Sequence, residues 1–482
     1  IELPTFCYYS ELSVYGACRM CMVENKWGGM EAACSTPPRN GMEIYTNTPR
    51  LRKYRKMILE LLLSNHCGEC TTCDKNGKCK LQELAARFDI HRVRFDNPKS
   101  KPCIDDSSVS ITRDANKCIL CGDCVRVCNE VQNVGAIDFA FRGSKMKVAC
   151  SFDKPIGDSN CVGCGQCAAV CPTGAIIIKN DSHRLWKELN QEDTIAVAQV
   201  APAVRVAVAK EFGYNGENVM GKIVAALRRI GFNYIFDTST AADLTVMEES
   251  KEFADRLANG GKLPLFTSCC PAWSVMAKKL FPTLAPYISM ALTPMVLTAR
   301  MLKKDDPDAC IAFIGPCAAK KLEASRRTIR SDVDFVLTFE ELMGMFNAKG
   351  VTFEDITDEE KVDLCEGTGD GRGFAVSGGV AKAVADVIHK LDPEREVKVV
   401  SAQGLKDCRK LLTLAKAGKY DGYLLEGMAC PGGCVAGAGT LQAVEKSTAL
   451  VNKYVKDAPL QNSLDSKYEI NLDLITESHD DK

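Results

Sequence analysis

The chain places four cysteines within eleven residues, Cys161-Val-Gly-Cys164-Gly-Gln-Cys167-Ala-Ala-Val-Cys171, and closes the run with Pro172. Thiols this close in sequence are poorly placed to pair with one another and well placed to share a metal centre. Cys118, Cys121, Cys124 and Cys128 repeat the spacing upstream. Where two such runs occur together, the fourth cysteine of each ligates the other's cluster. The spacing therefore predicts one 4Fe–4S cluster on Cys118, Cys121, Cys124 and Cys171, and a second on Cys128, Cys161, Cys164 and Cys167. Two zinc sites are the competing reading, which fits two such tight runs poorly.

Cysteine use extends well beyond these runs, with 26 in 482 residues and 18 of them before position 172. A chain this long can build a core without disulfide staples, so thiols in such number point to metal in a reducing, low-oxygen interior and a cytoplasmic setting. A net charge of −1 gives no global pull toward nucleic acid. No apolar run reaches the eighteen or so residues of a membrane span, so no membrane is expected. The first residue is Ile1 and Cys7 follows at once, so the numbered chain is expected to lack a genuine start and to hide any targeting segment.

His66, Cys70, Cys73 and Cys79 give H-x3-C-x2-C-x5-C. One imidazole among thiolates removes negative charge from a cluster and raises its potential. Cys67 offers an all-thiolate alternative, and spacing does not choose between them. Cys7, Cys18, Cys21 and Cys34 include one close pair and fit a 2Fe–2S site, with a zinc ribbon as the rival. Leu51, Tyr54, Ile58, Leu61 and Leu62 follow helical spacing and predict an amphipathic helix leading to His66. Domains are expected at 1–47 (2Fe–2S, N-terminally incomplete), 48–103 (His/Cys-ligated 4Fe–4S), 104–185 (ferredoxin-like, two 4Fe–4S) and 186–482 (catalytic). Several clusters in one chain make a wire for single electrons.

From about residue 190 short β-rich runs alternate with helical patterns, which predicts parallel sheets flanked by helices. The expected strands are Thr194–Val200, Phe232–Phe236, Leu263–Thr267, Cys310–Ile314, Phe335–Leu337, Val397–Val400 and Tyr420–Leu425, with helical stretches such as Glu217–Ile230 and Val380–Leu391 between them. The fold class is an α/β catalytic domain preceded by α+β ferredoxin-like iron–sulfur domains. Three cysteine motifs each follow an expected strand: Thr267-Ser268-Cys269-Cys270-Pro271-Ala272-Trp273, Pro316-Cys317-Ala318-Ala319-Lys320, and Glu426-Gly427-Met428-Ala429-Cys430-Pro431-Gly432-Gly433-Cys434. Ligands in α/β sheets bind beyond the carboxyl ends of strands, so these distant cysteines can converge. Cys310, Cys365 and Cys408 read instead as small buried hydrophobes. The polar, acidic tail after about Lys456 is expected to be a loosely packed extension.

These motifs resemble the FeFe hydrogenases, whose signature loops read TSCCPxW, PCxxKxxE and ExMACxGGCxxG; the chain has TSCCPAW at 267–273, PCAAKKLE at 316–323 and EGMACPGGCVAG at 426–437. The resemblance covers nearly the whole chain. It implies that Cys270, Cys317, Cys430 and Cys434 hold the 4Fe–4S half of an H-cluster in the cleft at the strand ends. Cys434 would bridge to a two-iron unit carrying CO, cyanide and an azadithiolate, which maturation proteins would supply. Accessory clusters would number three of the 4Fe–4S type and one 2Fe–2S, with His66 favoured over Cys67. Lys320 would donate to a cyanide, while Met428, Pro202 and Ala203 line the pocket. Cys269 would relay protons through Glu249, Ser289 and Glu252, with Arg256 at the outer end; the bland reading of Glu249, Glu252 and Arg256 is a solvated helix face.

The chain departs from the family pattern at Gly315, where methionine is common, at Ala319, where a serine often donates to a cyanide, at Met295, where glutamine is common, and at Ala438-Gly439-Thr440, which replaces a glycine-rich run. The expected reaction is reversible hydrogen formation from protons and electrons. Ferredoxin or a similar small carrier is the expected partner, docking on residues 50–103, where thirteen Lys and Arg face six Asp and Glu. Rival readings are a hydrogen sensor, an iron–sulfur assembly relative, and the iron–sulfur subunit of a bifurcating NADH-linked complex.

Overall fold

The computed structural model describes residues 2–96, 104–214, 219–326, 331–362, 364 and 366–468. It divides into two compact units, one of residues 1–161 and 165–179, the other of 162–164 and 180–482. Expectations for Cys365 and for the far end of the tail lie outside the described residues.

The first unit is built from short elements. Met22–Asn25 lies between Met30–Ala32 and Ile44–Tyr45 in an antiparallel sheet. Further on, Ile111–Arg113 pairs with Ile176–Ile178, and Asp138–Ala140 with Lys147–Ala149, both antiparallel. Such strands bury little by themselves, and cysteines complete the core: Cys7, Cys18 and Cys121 pack with Phe6, Leu59 and Leu81.

The helix predicted before His66 runs Pro49–Ser64, started by Pro49 and by the Thr48 side chain, which accepts from Leu51 N. Of the expected apolar stripe, Leu51 is buried and Tyr54, Ile58 and Leu62 pack against core clusters, while polar residues join the buried face. Leu51, Arg55, Leu59, Glu60 and Ser64 are buried, while Leu61 is 45% exposed. Arg55 is drawn inward because loop carbonyls need donors: it gives Nε to Met20 O, Nη1 to Thr46 O and Nη2 to Met22 O. Arg94 pairs with the buried Glu60. The basic excess of this region is therefore smaller at the surface than its count suggests.

The second unit holds two parallel sheets. In one the order is Phe335–Leu337, Cys310–Ile314, Ala196–Val200 and Tyr234–Asp237; in the other it is Leu265–Phe266, Tyr423–Met428 and Lys398–Gln403. Cys310–Ile314 and Ala196–Val200 lie side by side and are buried throughout, which explains their unbroken apolar character. The strand expected at Leu263–Thr267 shrinks to Leu265–Phe266, since Pro264 has no N–H for a ladder. The strand expected at Tyr420–Leu425 starts later and continues to Met428, carrying the third motif's Glu426 into the sheet.

The segment following Lys456 is a correction. Leu460 O and Gln461 O accept from Gly369 N and Asp370 N, and Ser463 is fully buried. Asp243, on the long helix Thr238–Asn259, gathers Thr368 N, Thr368 Oγ1, Gly371 N and Ser463 Oγ at 2.5–3.0 Å. A polar, acidic composition signalled solvent, whereas carbonyls of Leu460 and Gln461 and the Ser463 hydroxyl are consumed inside. Replacing Asp243 with Ala strands four donors, so urea unfolding of the apo-protein is expected to show a loss of about 3 kcal/mol or more.

Candidate active site

The loops after Leu265–Phe266, after Cys310–Ile314 and after Tyr423–Met428 meet around one cavity of about 90 Å³. Cys269, Cys270, Cys317, Cys430 and Cys434 all line it, together with Lys320, Met428, Met295, Pro202, Ala203 and Ala319. Glycines let the motifs close on one another. A Cβ on Gly427 would fall 2.2 Å from the Trp273 ring, so the indole of the first motif can pack flush on the third. A Cβ on Gly437 would fall 2.3 Å from Pro316 O, and Gly439 N donates to that same carbonyl. Ala429 N donates to Cys270 Sγ at 3.4 Å.

Burial governs the chemistry of these thiols. It pushes Cys317 up to about 11 and Cys434 up to about 12, raises Cys270, and raises Cys269 and Cys430 far above the ordinary thiol range. The sulfurs also feel one another: Cys270 and Cys317 both raise Cys430 and Cys434. Four thiols that resist ionising until cations arrive suit a polynuclear iron cluster, whose binding expels their protons. Among the described residues no three His, Cys, Asp or Glu are grouped as a single ion would need, whereas a cube of irons asks for thiols spread around a cavity.

Lys320 is buried and forms an ion pair with Glu323, Nζ to Oε2 2.6 Å; it also donates to Thr293 Oγ1 and Cys269 O. Burial works against its charge, but the Glu323 carboxylate outweighs that and its pKa stays above the ordinary value. Gly315 does not line the cavity. A Cβ there would meet the Phe313 ring at 2.7 Å, so Phe313, two residues earlier on the same strand face, forms the wall instead.

The carboxylates lie in a row leading away from Cys269. Glu249 is fully buried, accepts from Ser268 N at 3.2 Å, and leaves Oε2 without a partner. Burial, then repulsion from Glu252, lifts its pKa from 4.5 to about 8, and the nearby Ser289 hydroxyl pulls it back part of the way. Ser289 Oγ donates to Glu252 Oε2 at 2.6 Å, and Glu252 Oε1 meets Arg256 Nη2 at 2.5 Å. Arg256 is partly exposed, so the row reaches the surface. The bland reading of a solvated helix face holds for Arg256 and fails for Glu249.

Comparison with known proteins follows the same lines. Residues 194–438 match the iron-only hydrogenase large subunit, C-terminal domain; residues 1–49 match a 2Fe–2S iron–sulfur cluster binding domain, 55–94 the NADH-ubiquinone oxidoreductase-G iron–sulfur binding region, and 117–175 a 4Fe–4S dicluster domain. The NADP-reducing hydrogenase subunit HndD of Solidesulfovibrio fructosivorans is 35% identical over 98% of this chain and 90% of its own. The chain belongs to the iron-only hydrogenase family. Iron hydrogenase 1 of Clostridium pasteurianum is 30% identical over 96% of this chain and 88% of its own. A variant of the apo FeFe hydrogenase HydA1 from Chlamydomonas reinhardtii superposes with a TM-score of 0.51 at 26% identity, covering 62% of this chain and 95% of that one.

The hydrogenase's first unit gathers its own thiols. Cys118, Cys121, Cys124 and Cys171 line one cavity, so a fourth cysteine does join the other run's first three. Cys128, Cys161 and Cys167 lie in one core with Cys118, Cys124, Cys171 and the non-motif Cys150, while Cys164 lies on the 162–164 segment grouped with the second unit. Cys7 and Cys18 are hydrogen-bonded, and Cys34 is raised to about 11 by burial and by Cys21. His66 Nδ1 accepts from Gly68 N at 3.1 Å, so the neutral ring carries its proton on Nε2, which is buried without a partner; burial lowers the ring's pKa. Cys70 feels Cys79, Cys73 and Cys67, so Cys67 remains within reach of the same group.

Sequence reasoning missed Phe313, Phe374 and Thr238 in the cavity wall and Glu323 beside Lys320. Glu323 ends the second motif and Phe313 shares a strand face with Gly315, so both left a signal; Thr238 and Phe374 left none.

Keeping Glu249 protonated adds folding stability in full below about pH 4.5, and that contribution is lost as pH rises through 8. Glu249→Gln carries no such proton, so its denaturant midpoint between pH 5 and 8 is expected to fall less steeply than that of the unaltered protein.

Proposed function

We propose that this chain interconverts protons, electrons and molecular hydrogen, two protons and two electrons per hydrogen, at a six-iron H-cluster held by Cys270, Cys317, Cys430 and Cys434. The observation carrying this reading is that four thiols from three distant strand-end loops line one buried cavity with a fifth, Cys269, beside them. When bound, the cluster supplies the redox chemistry and the atoms at which hydrogen is made or split.

The protein's part is to position, to exclude water and to move protons. Cys269 holds a proton that its burial makes hard to lose, and it exchanges that proton with Glu249, itself a neutral acid at pH 7. Ser289, donating to Glu252, carries the path on, and the Arg256 pairing fixes Glu252 at the outer end. Met428, Met295, Pro202, Ala203, Ala319 and the Phe313 ring keep the cavity apolar, which strengthens every remaining electrostatic contact. Lys320, already paired with Glu323, brings a balanced charge to the wall and not a bare one.

Electrons would pass along three accessory 4Fe–4S clusters, on Cys118, Cys121, Cys124 and Cys171, on Cys128, Cys161, Cys164 and Cys167, and on His66, Cys70, Cys73 and Cys79, and a 2Fe–2S cluster on Cys7, Cys18, Cys21 and Cys34. Ferredoxin is one donor; a nicotinamide-linked partner subunit is the second reading, favoured by the likeness to a chain described as an NADP-reducing hydrogenase subunit. Isolation together with a flavoprotein would favour the second, and ferredoxin-driven turnover by the chain alone the first. No helix among the described residues is long and apolar enough to cross a membrane.

Replacing Cys269 with Ala is expected to leave carbonyl and cyanide infrared bands in matured protein while hydrogen evolution from reduced dye falls by about a hundredfold or more. Turnover near the unaltered rate would remove the relay.

A further inference from the structure

Thr238 is the first residue of the helix Thr238–Asn259, yet its side chain takes no part in capping, because Asp237 accepts from Ser239 N. At that position no helical carbonyl lies four residues back to receive its hydroxyl. Thr238 is 4% exposed, lines the cysteine cavity, and its Oγ1 is buried without a partner. A buried hydroxyl is seldom left unmatched, and this one belongs to a residue of the cavity wall.

The rest of the wall sharpens the point. An ammonium has three donors, and those of Lys320 meet Glu323 Oε2, Thr293 Oγ1 and Cys269 O. Apart from cysteines, every other lining side chain is apolar. Ala319 brings no donor. Apart from the cysteine thiols, Thr238 Oγ1 is thus the one uncommitted side-chain donor among the described residues of this wall.

We propose that Thr238 is a positioning residue whose hydroxyl donates a hydrogen bond to an anionic terminal ligand of the metal unit in the cavity. This inference rests on the proposed function, since it needs a unit bearing cyanide-type ligands. A hydroxyl suits such an acceptor because it adds directionality without a further buried charge, in a wall where Lys320 is already neutralised by Glu323. It fixes the orientation of a unit tethered by one thiolate.

The test compares Thr238→Val, which keeps the shape and removes the hydroxyl, with Thr238→Ser, which keeps the hydroxyl. Each reconstituted protein is loaded with a synthetic two-iron carbonyl–cyanide–dithiolate complex. Thr238→Val is expected to shift a cyanide stretching band and to release the complex roughly three- to tenfold faster on gel filtration. Thr238→Ser should restore both. Before loading, Thr238→Val should melt no lower than the unaltered protein, since no partner is lost. Unmoved cyanide bands with unchanged retention in Thr238→Val would overturn the inference. So would a lower apo melting temperature rescued by Ser, which would make the hydroxyl structural. If the unaltered protein itself shows no carbonyl or cyanide bands after loading, the reading of the cavity falls and takes this inference with it.

Discussion

Burial of ionisable sulfur is the constraint from which the rest follows. Five thiols, a lysine and a carboxylic acid lie in or beside one cavity, and for the thiols burial opposes ionisation. Such a site has a cost that hydrophobic packing does not offset, and a polycationic metal core reverses it by pairing with the thiolates. Metal binding and stability are therefore one process here. In the first unit the same logic applies on a smaller scale: short strands enclose little apolar surface, and sulfurs bound for metal take up core positions.

Backbone detail makes the convergence possible. The third motif reaches the first because Gly427 admits the Trp273 indole, and it reaches the second because Gly437 and Gly439 lie against Pro316 O. The long helix Thr238–Asn259 serves the site twice, with Thr238 at its start and Glu249 and Glu252 further along. Its seat is fixed by Asp243, which ties it to the loop at Thr368–Gly371 and to Ser463. The proposed proton path and the cavity wall thus share one helix.

Much of this was legible in the residues. The cysteine spacings announced clusters, and the strand-plus-motif pattern announced one site at the ends of parallel strands, because thiol spacing and the two-residue period are local properties. What escaped depended on tertiary partners. Arg55 sits at a position that composition assigns to solvent, and it is buried because the carbonyls of Met20, Met22 and Thr46 accept from it. The segment after Lys456 reads as a loose tail, and it packs because distant amides at Gly369 and Asp370 use its carbonyls. Gly315 looked like a simple loss of a thioether, whereas the Phe313 ring already occupies that space.

The account stands on a single iron centre enclosed by Cys270, Cys317, Cys430 and Cys434. Crystals of matured protein measured at the iron absorption edge test it directly. The expected map has one four-iron peak in contact with all four of these sulfurs and two further irons beside Cys434. Iron divided between separate sites, or any of the four sulfurs directed away from the peak, would contradict it.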